Sequence, residues 1–171
     1  MKEAPLRGAV RTVFLIACFF LLTAMGTNAP AGAEKTKAPD FLLKDLSGKN
    51  FSLSSLKGKV IILNFWSITC PPCLSEMSSL NGLHNEMKSR GLEVVAVSSD
   101  RSVGEVNDYL NKKGFHFQIL MDDARAASRL YKVFSLPTTF LIDRNGFIVE
   151  KFFGAYDWAD PDIRKKVEKL L

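Results

Sequence analysis

Residues Val60 to Met77, VIILNFWSITCPPCLSEM, constrain this chain more than any other stretch. An apolar run closes on Phe65-Trp66, a short turn follows, and Cys70-Pro71-Pro72-Cys73 opens a segment of different period. There Cys73, Met77, Leu80, His84 and Met87 recur at helical spacing, and Gly91 stands where a helix should stop. The nearly continuous apolar run Val60 to Trp66 fits a central strand covered on both faces. The two cysteines therefore sit where a strand gives way to a helix, a place that suits dithiol–disulfide chemistry.

With a helix starting at Pro71, Cys70 becomes its N-cap, and Pro is favoured next because its missing N–H is unpaired there anyway. The helix N-terminus stabilises a thiolate over a thiol, so a lowered Cys70 pKa is expected. Pro71 and Pro72 donate nothing, which leaves Cys73 N–H as the nearest backbone donor and makes the lowering smaller. Cys73, one turn inside, is expected to be more buried and to resolve the mixed disulfide formed by Cys70. A zinc site would need a partner for the pair, but there is no second CxxC, and His84 and His116 lie far apart in sequence. A bond closing so short a loop removes little unfolded-state entropy, so the pair is poorly suited to bracing a fold.

The N-terminus bears on where such a couple works. Lys2, Arg7 and Arg11 precede the uncharged apolar run Val13 to Met25, and Ala31-Gly32-Ala33 offers a small-x-small cleavage site. Residues 1–33 thus read as a signal peptide or, uncleaved, as a membrane anchor, although the strongly apolar part is shorter than the ~20 residues that span a bilayer. Cys18 lies within that run rather than after it, which disfavours lipidation. Residues 34–39 form a polar linker and 40–171 one domain. Removing Lys2, Arg7, Arg11 and Glu3 from 23 basic and 18 acidic residues leaves 20 against 17, too mild a balance for a nucleic-acid partner.

Along the domain, Phe41 to Asp45 and Asn50 to Leu53 flank a Ser-Gly turn and read as a hairpin. After a loop or helical turn (54–59) come the Val60 strand, the Cys70 helix and a second buried strand, Glu93 to Ser98. Val103, Val106 and Leu110 mark a helix ending near Gly114. A short strand over Phe117 to Leu120 precedes a helix over Ala124 to Phe134, whose apolar residues are Leu130, Tyr131 and Phe134. Leu136-Pro137 leads into a strand over Thr138 to Asp143. Arg144-Asn145-Gly146 turns into Phe147 to Phe153, and a helix from Pro161 to Leu171 carries Ile163, Val167 and Leu170. The expected architecture is α/β, a mixed central sheet flanked by helices and preceded by the hairpin.

Phe65-Trp66, Cys70-Pro71-Pro72-Cys73, LPTTFLIDRNG and the APDFLLKDLSGKNFSLSSLKGKVIILNFW entry resemble the thioredoxin superfamily, and more closely its exported TlpA/ResA-like thiol–disulfide oxidoreductases. The resemblance covers roughly Ala38 to Gly154. It implies a thioredoxin-like fold and a redox-active Cys70–Cys73 disulfide with no bound cofactor or metal. It also implies a cis Pro137 facing the cysteines, with Leu136 and Thr138 flanking the docked client. Trp66, Pro71, Pro72 and Glu76 of CxxCxxE belong to the same pattern, though Glu76 equally suits an ordinary helical first turn. The implied clients are disulfide-bearing proteins such as apocytochrome c, outside the cytoplasm, in the periplasm or on the outer face of the membrane. A membrane electron donor of the CcdA/DsbD type would recharge the couple.

Departures from the pattern are informative. Asn64 stands where thioredoxins carry a buried proton-carrying Asp, so Cys73 needs another base, water or a more distant carboxylate. Asp100 is read as a surface residue, with a place near the site as the alternative, and His116 as exposed. Thr69 replaces the usual Trp before the first cysteine, and Ser78 a helix-kinking Pro. Two rival functions remain. A thiol peroxidase is disfavoured, because Leu63 and Ser67 replace the Pro and Thr of the peroxiredoxin motif. A non-catalytic binding module would tolerate loss of Cys70.

Overall fold

The structure, a computed structural model, describes residues 36–171; the leader expected over 1–33, with Cys18, and the first residues of the expected linker lie outside the described residues. Among the described residues, seven strands form one mixed sheet in the order β2-β1-β5-β4-β3-β6-β7. They are β1 (Leu42–Asp45), β2 (Asn50–Ser52), β3 (Val60–Trp66), β4 (Leu92–Ser98), β5 (Gln118–Met121), β6 (Thr138–Ile142) and β7 (Ile148–Phe153). The helices are α1 (Pro71–Met87), α2 (Val103–Asn111), α3 (Ala126–Leu130) and α4 (Pro161–Glu168), with short 3-10 turns at Leu53–Leu56 and Lys88–Arg90. No described helix is long and apolar enough to cross a membrane.

Every residue of β3 is buried, as its apolar run requires. It lies parallel to β4 and antiparallel to β6. Strand alternation divides its side chains between two cores. Val60, Ile62 and Trp66 pack with α1, α2 and α4; Ile61, Leu63 and Phe65 pack with Phe41, Leu53, Ala127 and Tyr131. Each fully buried aliphatic side chain contributes about 1.5–3 kcal/mol. The expected hairpin is joined to the main sheet: β1 pairs with β2 on one side and β5 on the other. Asp143 caps the β6–β7 turn, accepting from Asn145 N–H and Phe147 N–H at 2.9 Å each.

One element differs from the sequence reading. The helix expected over Ala124 to Phe134 is confined to Ala126–Leu130, because Arg125 before it and Lys132 after it both adopt left-handed backbone (φ 55° and 52°). Only Tyr131 of the three apolar residues turns inward, donating its hydroxyl to Pro39 O at 2.6 Å. Phe134 lies in the following loop and is 93% exposed.

Candidate active site

The site forms at the C-terminal end of β3. Cys70 caps α1 with extended backbone (φ −108°, ψ 98°), and its sulfur accepts Cys73 N–H at 3.3 Å. Pro71 and Pro72, both exposed, occupy the first two helical positions and have no N–H to offer. Leu74 N–H returns to Cys70 O at 3.1 Å. The two cysteines form a disulfide with their Cα atoms 5.3 Å apart. Their burial is unequal: Cys70 is half-buried and Cys73 fully buried. A partner in solution therefore meets Cys70 first. Helix α1 runs unbroken through the exposed Ser78.

Asp100 belongs to this site rather than to the open surface. It is half-buried at the end of β4, where its carboxylate accepts Ile68 N–H at 2.9 Å and the hydroxyls of Ser67 and Ser98 at 2.6 and 2.7 Å. Those bonds hold the turn that delivers Cys70, whose own N–H goes to Ser67 O at 3.2 Å. The Thr69 side chain is exposed and shares a hydroxyl contact with Ser67. Removing the carboxylate takes the acceptor from Ile68 N–H and the Ser98 hydroxyl and leaves the Ser67 hydroxyl only its Thr69 contact. Asp100→Ala should cost about 2 kcal/mol in a urea unfolding curve.

Behind the disulfide lies a buried polar cluster. Asn64 is on the α1 side of β3, opposite Thr139 on β6. Glu76 follows Cys73 by one helical turn, on the same face of α1. It is 2% exposed and is no ordinary first-turn charge. Its Oε1 accepts Asn64 Nδ2–H at 2.8 Å; its Oε2 accepts Tyr156 N–H at 3.1 Å and Trp158 Nε1–H at 3.3 Å. Burial raises the Glu76 pKa above the usual carboxylate range, and the bonds from Tyr156, Asn64 and Trp158 oppose it only in part.

That shift has a consequence for stability. A raised folded pKa means that the native state holds the proton more tightly than the unfolded chain, whose Glu titrates near 4.5. The associated stability is complete below that value and is lost as pH rises through the folded pKa. Urea midpoints compared between about pH 4 and pH 8 should fall more in the wild type than in Glu76→Gln, which is neutral throughout. Buried His84, whose pKa is lowered mainly by desolvation, loses stability in the opposite direction, as pH falls, and cancels in this difference.

The remaining site residues converge on the same end of the sheet. Trp66 is fully buried beneath α1, in the same core as Cys73. The Leu136–Pro137 bond is cis, and Pro137 O accepts Gly154 N–H at 3.0 Å. Pro137 is buried, whereas Leu136 is half-buried and packs against the core that Cys70 also touches. Thr138, on the opposite face of β6 from Thr139, gives its hydroxyl to Ser135 O at 2.8 Å. His116 is exposed, and its N–H donates to Asn81 Oδ1 at 3.0 Å.

Sequence reasoning did not single out Thr139, Tyr156 or Trp158. The available signal was Trp158 itself, a large aromatic in the polar segment GAYDWADP, whose indole N–H needs a partner when buried.

Comparison with known proteins agrees with this geometry. Residues 35–151 match the AhpC/TSA family. Thiol-disulfide oxidoreductase ResA of Bacillus thuringiensis is 39% identical over 153 residues, covering 84% of this chain and 88% of the relative. ResA of Geobacillus kaustophilus is 35% identical over 170 residues, covering 99% and 97%. A thiol:disulfide interchange protein of the thioredoxin family from Chlorobium tepidum superposes with a TM-score of 0.72 at 30% identity, covering 82% of this chain and 99% of that one. The chain belongs to the AhpC/TSA family and is, with its ResA relatives, a thiol-disulfide oxidoreductase of thioredoxin fold.

Proposed function

We propose that the protein is exported and reduces disulfides of client proteins outside the cytoplasm, apocytochrome c among them. The observation that carries the mechanism is the asymmetry of the couple: an accessible Cys70 at a helix N-terminus, and a fully buried Cys73 with a buried acid one turn further on. In the reduced protein the Cys70 thiolate attacks a client sulfur, forming a mixed disulfide and releasing one client thiolate, which takes a proton from water. Cys73 passes its proton to Glu76, attacks Cys70 Sγ and expels the second client sulfur as a thiolate, which takes a proton from water. The client gains two electrons and the Cys70–Cys73 disulfide is restored. The couple itself carries the electrons, and a membrane donor of the CcdA/DsbD type returns them.

The reductive direction follows the resemblance to TlpA/ResA-like proteins, and the export follows the Lys2 to Ala33 leader. A peroxidase is the weaker reading, because the Ser67 hydroxyl, at the peroxiredoxin Thr position, donates to Asp100. The test mixes the reduced protein with the disulfide form of a peptide carrying the C-x-x-C-H haem-attachment motif. Reduction of the peptide is expected. Oxidation of the dithiol peptide by the disulfide form, with no reaction in the other direction, would overturn the reading.

A further inference from the structure

One atom of the cluster behind the disulfide is left unused. Asn64, Glu76 and Thr139 are all buried. Asn64 Nδ2 donates to Glu76 Oε1 and to Thr139 Oγ1, each at 2.8 Å, while Asn64 Oδ1 has no hydrogen-bond partner. A buried carbonyl oxygen without a donor is destabilising.

The second carboxylate oxygen of Glu76 explains why such an atom is kept. Oε2 faces the Tyr156 and Trp158 N–H groups, which can only donate. A proton on Oε2 would be aimed at two donors. Glu76 can therefore be protonated without losing the 156–158 segment only at Oε1, where the new O–H meets Asn64 Nδ2, again a donor. A half-turn of the carboxamide removes that clash, at the cost of leaving the two N–H bonds of Nδ2 in the place where Oδ1 has no partner. Oδ1 then accepts from the Glu76 O–H and from the Thr139 hydroxyl, which donates as readily as it accepts. The two N–H bonds of Nδ2 and the two lone pairs of Oδ1 match the same two neighbours.

We propose that Asn64 is a positioning residue for proton exchange at Glu76, its carboxamide turning over, and the Thr139 hydroxyl reversing, whenever Glu76 gains or loses a proton. One O–H bond forms at Oε1 and one negative charge is neutralised. The proton comes from water or, on the reading that Glu76 serves Cys73, from that thiol; the role in exchange rests on that reading. Cys73, one turn earlier on α1, is uncharged in the disulfide, and the groups bonded to Glu76 are Asn64 from β3 and the N–H groups of Tyr156 and Trp158. No charged side chain is among the causes that set its ionisation. An aspartate at position 64 would instead compete with Glu76 for one proton.

The test is made on residues 34–171 in the disulfide form, a fragment that contains the whole sheet and both cores. Glu carboxyl carbons and Asn side-chain amides are followed by NMR against pH. The expected result is a contact between the Asn64 amide protons and Thr139 above the Glu76 midpoint, lost below it, with both changes sharing one midpoint. Asn64→Leu should raise that midpoint by about one pH unit, because the carboxylate loses a charge-assisted bond and the acid only a neutral one. If Glu76 titrates while the Asn64–Thr139 contact stays unchanged, the turnover is wrong and the role of Glu76 stands. If Glu76 keeps one protonation state from about pH 4 to pH 10, its role as proton acceptor fails and the turnover fails with it.

Discussion

Cys73→Ser should accumulate covalent complexes with clients, while Cys70→Ser should form none and lose disulfide exchange by about 10³-fold or more, the scale on which removal of a nucleophile acts. Burial decides which sulfur a client meets. Cys73 is fully enclosed, so a client sulfur meets only the half-exposed Cys70. The N-cap position favours its thiolate, through the helix N-terminus and the Cys73 N–H at 3.3 Å. Once the mixed disulfide has formed, only Cys73 can release it, and serine cannot. Client bands that disappear on reduction, seen with Cys73→Ser and absent from the double variant, are the readout. A non-catalytic binding module predicts that Cys70→Ser leaves function intact.

Trp158→Ala is expected to be the most damaging substitution outside the cysteines, lowering stability by about 3–5 kcal/mol. Its ring is fully buried, 5.3 Å from Phe152 in an edge-to-face arrangement, within the core that holds α1 and α4. The segment around it is tied to α1 twice more, by Trp158 N–H on Ser79 Oγ at 3.1 Å and Tyr156 N–H on Glu76. Trp158→Phe separates packing from hydrogen bonding. It keeps most of the apolar volume but removes the indole donor from the Glu76 carboxylate, so the Glu76 pKa should rise further. A thermal melt reads the first effect, and the carboxyl titration reads the second.

The strand–helix junction could be read in the sequence because three local rules agree there: a fully apolar run, Pro at the helix start and a 3.6-residue period from Cys73 to Met87. The two cysteines at that junction read as a dithiol pair from the same rules, whereas the cis Pro137 beside them is what the family resemblance implies. What was not legible depends on contacts distant in sequence. Glu76 is a residue type usually found at surfaces, and its burial involves Asn64, Tyr156 and Trp158, 12 to 82 positions away. For Asp100 the sequence favours a surface place over one near the site, because a polar residue after a strand is usually exposed. Its burial comes from the Ser67–Ile68 turn, 33 and 32 positions earlier. The helix expected to reach Phe134 was cut short by positive-φ backbone at Arg125 and Lys132, which carries no signal in residues that rarely adopt it.

Cys70–Cys73 is proposed as a reducing couple, and its reduction potential, titrated against a thiol buffer in residues 34–171, tests this most directly. The expected value is near or below about −250 mV, close to that of thioredoxin, which requires an outside supply of electrons. A value near about −120 mV, that of a strong oxidant, would contradict it.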